Sequence, residues 1–276
     1  MLYSRRDEQL LQNLLAIDAP IMFEGVHTCY LLQHPSLSER KKIVRNHNVE
    51  QEYYALLAKR EKSIFKKIYF RIEARLLKNF EQKLSIADYL LPISNSDSIF
   101  FEKLLPQAKV ACVNGFHPFD TLISKKGKSD FCLYQGNLAH PENIEAALFL
   151  IEKVFTDLSE KLVIAGRNPD TTIVRACKGK KNIELIANPS EVVMNHLIAT
   201  AQIQVLPTFQ ASGLKLKLLY ALFGGRFVIA NKRMLKGTGL EDLCIIADDN
   251  AADFKQKILL AMQTEFDENE LYKRKN

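Results

Sequence analysis

The chain has 276 residues, 47% of them apolar and 25% charged. That composition suits an ordinary soluble protein of one large or two ordinary domains, and it excludes a disordered or low-complexity chain. The tail Tyr272–Asn276 is the one stretch whose composition suggests disorder. No run of about 18 uncharged apolar residues exists, so no transmembrane helix is expected. The first ten residues lack the apolar centre of a signal peptide. The five cysteines are odd in number and far apart, which argues against a disulfide framework or a zinc site and points to a cytoplasmic compartment. The formal net charge of +6 is local, because residues 59–83 hold nine Lys/Arg against three Glu, an excess equal to that of the whole chain.

In chain order, Glu8–Ile17 has helical character, followed by strand-like runs at Ile21–Glu24, Lys42–Arg45, Tyr89–Ile93 and Val110–Val113. A long helical stretch, Val49–Ile86, lies between the second and third of these. A complete Rossmann-type domain opens on a strand and a Gly-rich turn, so this first domain is expected to lack one or more βαβ units. The polar, Gly-containing segment Ile123–Asp130 marks the expected boundary.

From residue 131 the alternation is regular. Phe131–Tyr134, Leu162–Ala165, Ile183–Ile186 and Ile203–Leu206 are strand-like, and each precedes a helical segment (Glu142–Phe155, Thr171–Cys177, Ser190–Thr200, Leu214–Leu222). Phe227–Ala230 and Cys244–Ala247 are two further strands. Alternating strands and helices imply an α/β fold with parallel sheets covered by helices on both faces. Two domains are expected, 1–123 and 131–276, with the last helix packing back on the first domain. Ligands of such sheets bind at the carboxyl ends of the strands.

Within the long helical stretch Ile64, Ile68, Ile72, Leu76, Phe80 and Leu84 recur every four residues, joined by Phe65 and Tyr69. Lys67, Arg71, Arg75 and Lys78 fall on the opposite side of a helical wheel. Such a basic amphipathic helix can dock on an anionic membrane. The plainer alternative puts the apolar stripe in the core and the lysines in water. Nucleic acid is not an expected partner, since no binding module accompanies the charge.

A strand ending at Pro207, a small-residue loop and a helix starting near Gly213 form a phosphate-binding geometry, with Lys215 and Lys217 in the first turn. A helix with two solvated lysines is the competing reading. The order Pro207…Gly213-Leu-Lys-x-Lys-x-Leu-x-Ala-Leu-x-x-Gly-Arg-x-Val-Ile resembles the donor-site segment of retaining GT-B glycosyltransferases of the large family 4. Leu133–Ala147 resembles the strand, Gly loop and helix that open the donor domain of that family. Leu162–Pro169 and Lys236–Asp242 resemble its later donor loops, and Val44–Glu50, preceded by Phe23–Thr28, resembles its strand-end histidine segment. The resemblance runs over about nine-tenths of the chain.

It implies metal-independent transfer of a hexosyl group from a nucleotide-diphosphate sugar to a glycan or lipid-linked acceptor, in bacterial surface polysaccharide or glycoconjugate assembly. No permanently bound cofactor is implied. The donor site would comprise Gly136, Asn137, Gly166, Arg167, Ser212, Gly213, Leu214, Lys215, Lys217 and Tyr220. The diphosphate would rest on backbone N–H groups around Gly136 and Gly213 and on Lys215 or Lys217. His47 would be catalytic, facing the donor sugar, with His27 and Asn48 on the acceptor side. A buried histidine satisfying backbone groups is the other reading of His47.

The sequence departs from the family at four positions. Ser212 and Tyr220 stand where the family has two glutamates eight positions apart, and Asn137 and Glu142 stand where its first donor loop has Arg and Lys. A tyrosine offers the ribose hydroxyls one uncharged oxygen in place of a carboxylate. These replacements support a second reading, a non-catalytic binding or regulatory relative. A nucleotide-sugar epimerase is a third, and it needs a pair of cleft carboxylates that the sequence does not offer.

Overall fold

The computed structural model describes residues 7–61, 63–115, 121–209 and 216–275. The chain divides into two compact units, the first within residues 1–116 and the second within 117–276.

In the first unit α1 (Glu8–Ala16) starts where the Asp7 carboxylate accepts from the Gln9 N–H at 2.8 Å. Strands β1 (Ile21–Glu24), β2 (Lys42–Asn46) and β3 (Tyr89–Pro92) form a parallel sheet in that order. The expected strand at Val110–Val113 is reduced to one parallel bridge, Leu90 with Val110. Burial alternates along β1, with Ile21 and Phe23 inside and Met22 and Glu24 outside, so one face of β1 is open where helices on both faces were expected.

The long helical stretch of the sequence reading is a hairpin of α2 (Glu50–Arg60) and α3 (Ile64–Glu81), broken where Glu61 turns to extended backbone. The N-cap of α2 is Val49, which has no side-chain acceptor. The Glu81 carboxylate supplies one from the far end of α3, accepting from Glu50 N at 2.7 Å and from Gln51 Nε2 at 2.7 Å. Helix α4 (Asn95–Leu104) follows β3, capped by Ser94.

The apolar stripe of α3 does not face the core. The buried residues of α3 are Glu73, Leu77 and Glu81, whereas Ile64, Ile68, Ile72 and Leu76 are exposed together with Arg71, Arg75 and Lys78. The cause is helical drift. A four-residue repeat overshoots each turn by about 40°, so a stripe that starts in solvent at Ile64 reaches the interior only at Leu84.

The second unit holds strands β4 (Phe131–Asn137), β5 (Lys161–Arg167), β6 (Ile183–Ala187), β7 (Ile203–Leu206), β8 (Phe227–Asn231) and β9 (Ile245–Ala247). They form one parallel sheet in the order β6-β5-β4-β7-β8-β9. Its helices are α5 (Pro141–Phe149, continued by a π turn to Val154), α6 (Thr171–Cys177), α7 (Glu191–Thr200), α8 (Leu216–Gly224), α9 (Lys232–Leu235), α10 (Ala251–Gln263) and α11 (Glu268–Lys275). Asp170, Ser190 and Asn250 cap α6, α7 and α10 with side-chain oxygens, which ends each preceding loop at a defined residue.

Both faces of this sheet are covered. Tyr134, Ile164, Val205 and Ile229 pack with α5 and α10, while Leu133, Val163 and Ala165 pack with Ile198 of α7. Every residue of β7 and β8 is buried, as a central parallel strand requires. Full enclosure of Phe155, Phe254 and Phe266 contributes roughly 2–3 kcal/mol each.

The polar segment expected as the domain boundary is bonded into the second unit, because Gly127 exchanges two backbone hydrogen bonds with Phe266. The tail that composition marks as a candidate for disorder is helical to Lys275, and Arg274 fixes it. Its guanidinium donates to the carbonyls of Leu222, Gly225 and Arg226 at the end of α8 and to the Ser124 hydroxyl. In parallel, Arg226 donates to Ala199, Thr200 and Ala201 carbonyls at the end of α7. Two helix C-termini are thus closed by buried guanidinium groups.

Candidate functional site

Strand order in the second unit reverses between β4 and β7, and the crevice at such a switch point is where open parallel sheets bind ligands. The residues at its rim are therefore the carboxyl ends of β4, β5 and β7. Asn137 and Arg167 are Cα partners across β4 and β5, and both are exposed. Four expected donor residues, Ser212, Gly213, Leu214 and Lys215, lie outside the described residues.

Gly136 and Gly166 are packed positions. A methyl group at Gly166 would fall 1.9 Å from the Gly136 carbonyl oxygen, so β5 can run beside β4 here only without a side chain. A methyl group at Gly136 would meet the Asn143 carboxamide nitrogen at 3.2 Å. The backbone N–H groups that follow Gly136 are internally bonded. Leu138 N donates to Arg167 O at 2.8 Å, Ala139 N to Asn137 Oδ1 at 3.2 Å, and His140 N to Asn137 O at 3.2 Å.

Lys217 also points inward. Its ammonium lies 2.5 Å from Asn143 Oδ1, 3.4 Å from the Tyr134 hydroxyl and 5.0 Å from the centre of the Tyr134 ring. Asn143 in turn donates to the Asn137 carbonyl at 2.8 Å and its backbone carbonyl accepts from the Tyr134 hydroxyl at 3.2 Å. Burial holds the Tyr134 phenol well above the ordinary tyrosine range, with Glu142 adding to the shift, so the hydroxyl stays a donor. This cluster joins α8, α5 and β4 behind the switch point. Tyr220, one turn further along α8, is half-buried against the group formed by Leu133, Val163, Ala165 and Ile198.

The loop leaving β7 is fixed by Asn231, a fully buried residue whose importance sequence reasoning missed. Its side chain accepts from Thr208 N at 3.1 Å and donates to Thr208 O and Asp249 Oδ1, both at 2.6 Å. Arg233 extends the clamp to Asp249 at 3.0 Å and to the Phe209 carbonyl at 3.3 Å. The available signal was an asparagine closing an otherwise apolar strand run. The Lys236–Asp242 segment leads away from this rim. Asp242 lines a cavity of about 390 Å³ together with Phe227 and Ile245, which begin β8 and β9.

In the first unit the strand register assembles a second polar group. Glu24 and Arg45 are Cα partners on β1 and β2, and His47 lies two residues beyond Arg45. His47 Nε2 approaches Glu24 Oε1 at 2.5 Å, and Arg45 Nε reaches the same oxygen at 3.4 Å. An ionised carboxylate only accepts hydrogen bonds, so His47 donates from Nε2, which in the neutral ring leaves Nδ1 as an acceptor. Gly25 follows Glu24 at φ 84°, and a methyl group there would stand 3.8 Å from that Nδ1. His27 is separate, with Nε2 3.4 Å from a Glu50 carboxylate oxygen, and Asn48 is half-exposed after β2. Glu24 and Arg45 were not singled out in the sequence, since their pairing depends on strand register. Among the described residues no group of three or more His, Cys, Asp or Glu is arranged to hold a metal ion.

No family model matches the chain. A curated relative, an uncharacterized 44.6 kDa protein in the cps region of Klebsiella pneumoniae, is 27% identical over 83% of this chain and 62% of its own length. Among solved structures, TarM superposes with a TM-score of 0.69 at 14% identity, covering 92% of this chain and 50% of TarM. A mutant of S. aureus TarM in complex with fondaparinux, α-GlcNAc-glycerol and UDP gives a TM-score of 0.68 at 12% identity, over 93% of this chain and 51% of that one. A UDP-forming α,α-trehalose-phosphate synthase from Burkholderia vietnamiensis gives 0.65 at 11%, over 94% of this chain and 71% of the synthase. The chain thus spans about half of TarM and 62% of the curated relative. These likenesses show the fold, which is α/β with parallel sheets, as in the GT-B glycosyltransferases it superposes on.

Proposed function

We propose that the chain transfers a sugar from a nucleotide-diphosphate sugar to a hydroxyl of a glycan or lipid-linked acceptor, acting in the cytoplasm or at the inner face of the membrane. The observation that carries this reading is the switch point between β4 and β7, where α8 follows the clamped loop after β7. The superposition on UDP-forming and UDP-bound glycosyltransferases supports a nucleotide-sugar donor. The cps-region relative supports a place in surface polysaccharide assembly.

The leaving diphosphate needs positive charge as the glycosidic bond breaks. Lys217 is committed to Asn143, so Arg167 and Lys215 are the residues we assign to that role. His47, held by Glu24, is the group we assign to a sugar hydroxyl, through Nδ1. Family 4 membership, a retaining course and metal independence follow from the sequence resemblance and stand as part of the same proposal.

A specific observation favours a second reading, a non-catalytic relative. Tyr220 occupies a glutamate position and is packed against the sheet, and Ser212 replaces the other glutamate. Titration calorimetry with UDP, ADP, GDP and TDP and their sugars separates the readings when paired with a donor-hydrolysis assay. Binding of one nucleotide with turnover that falls at least tenfold in His47→Ala and Glu24→Ala is expected. Binding without turnover supports the non-catalytic relative, turnover rules that relative out, and no binding to any nucleotide sinks the transferase.

A further inference from the structure

The most exposed apolar surface on a described helix belongs to α3, and the donor site does not use it. Phe65 is 86% exposed, Ile64 71%, Ile72 55% and Leu76 54%, while Leu77 on the buried side of α3 is 1% exposed. Ile68 and Tyr69 are also exposed, so the stripe runs unbroken from Ile64 to Leu76, about 18 Å along the helix. Large aliphatic side chains concentrated on one solvent face mark a contact surface, unlike single exposed residues.

The charges around the stripe identify the partner. Arg71, Arg75 and Lys78 are exposed beside it. The one carboxylate between Ile64 and Phe80 is Glu73, which is buried, so the solvent face of the helix presents cations and aliphatics with no acid among them. Two copies of this face would set arginine against arginine with no carboxylate of the helix to meet them. Nucleobases could stack only on Phe65 and Tyr69 and would leave Ile64, Ile68, Ile72 and Leu76 in water. A surface with phosphate groups above hydrocarbon fits both features, since the aliphatics can enter the acyl boundary while the arginines reach the phosphates.

We propose that the solvent face of α3 docks flat on an anionic lipid bilayer, with Ile64, Phe65, Ile68, Ile72 and Leu76 entering the interface and Arg71, Arg75 and Lys78 at the headgroups. The sequence left open whether this stripe lay in the core, and its exposure is what carries the inference. The helix lies on the surface and does not span the bilayer, because no described helix is long and apolar enough to cross one. The proposal is independent of sugar transfer, and its test contains no donor.

The test is co-sedimentation of the full chain with phosphatidylcholine vesicles, with and without about 30% phosphatidylglycerol, at low and high salt. Partitioning is expected to be roughly tenfold stronger on anionic vesicles and to fall several-fold as salt shortens the screening length. Ile68→Ser/Ile72→Ser and Arg71→Gln/Arg75→Gln should each weaken binding while melting like the parent, since all four side chains are exposed. Equal pelleting with neutral vesicles would overturn the proposal, as would unchanged binding by both double variants. Failure to pellet, with concentration-dependent dimerisation by light scattering that Ile68→Ser/Ile72→Ser abolishes, would assign the face to a second copy instead.

Discussion

Replacing Lys217 by methionine tests whether that ammonium is an internal tie or a ligand-facing charge. Methionine keeps the length and volume of the side chain and removes only its charged head. What is lost is the 2.5 Å bond to Asn143 Oδ1, the longer contact to the Tyr134 hydroxyl and the position over the Tyr134 ring. A hydrogen bond to a charged group is worth roughly 1.5–3 kcal/mol net, and the cation over the ring adds about 0.5–1 kcal/mol. Returning a half-buried ammonium to water recovers part of this, so the expected loss is about 2 kcal/mol. For a unit of this size that lowers the melting temperature by roughly 4–8 °C.

The assay is urea and thermal unfolding of wild type, Lys217→Met, Asn143→Leu and the double variant. Asn143→Leu also severs the bond to the Asn137 carbonyl, so the coupling between the two changes is the quantity to read. Side chains in contact should couple by about 1–2 kcal/mol. Additive effects, with an unchanged melt for Lys217→Met and a tenfold loss of nucleotide affinity, would refute the reasoning. The lysine would then face the ligand and the cluster would not depend on it.

Two further outcomes follow from packing and from burial of charge. Gly166→Ala should cost about 3 kcal/mol in unfolding experiments, because the methyl group meets the rigid backbone oxygen of Gly136; a wild-type melt would show that β4 and β5 separate here without cost. Burial raises the Glu81 carboxyl to about 7, against the opposing hydrogen bonds from Gln51 and the Glu50 backbone. The folded state therefore holds a proton that the unfolded state has released, and stability falls as pH rises from about 4.5 to about 7. Glu81→Gln should flatten that fall by up to about 1.4 kcal/mol per pH unit, and parallel pH profiles for the two proteins would refute the assignment.

The second unit was legible because its central strands are covered on both faces. Runs such as Leu162–Ala165 and Phe227–Ala230 are apolar at every position, and that pattern needs no knowledge of neighbours. The first unit was less legible. The α2–α3 break lies in a polar stretch with no Pro or Gly to announce it, and the four-residue stripe looked continuous although drift carries it from solvent to core. The polar residues that shape the sites were hidden for another reason. Asn143, Asn231, Glu81 and Arg274 act on partners that are mostly distant in the chain, and a local pattern holds no trace of them. The helical tail beyond Glu268 is the clearest case, since its composition is polar and Arg274 secures it through carbonyls some fifty residues away.

The anchors on either side of the loop after β7 constrain what can happen at the switch point. On the entry side, Asn231 binds both the N–H and the carbonyl of Thr208 and is itself tied to Asp249. On the exit side, Lys217 binds Asn143, and Gly136 leaves just enough room for that carboxamide. Each anchor is buried or half-buried and hydrogen-bonded more than once, so movement of either end would leave buried polar groups unpaired, at about 1–3 kcal/mol each. On the proposed function, a donor bound between them would meet a frame whose ends are already placed, which reduces the ordering that binding must supply. On that reading, the same frame bears on Tyr220, one of the positions where the sequence departs from the family 4 pattern it resembles. With Lys217 facing inward and Tyr220 packed on the sheet, the described part of α8 serves the frame. On the proposed function, charge for a diphosphate would come from Arg167 and from Lys215, which makes Arg167→Ala, paired with Lys217→Met, the comparison that separates frame from ligand contact.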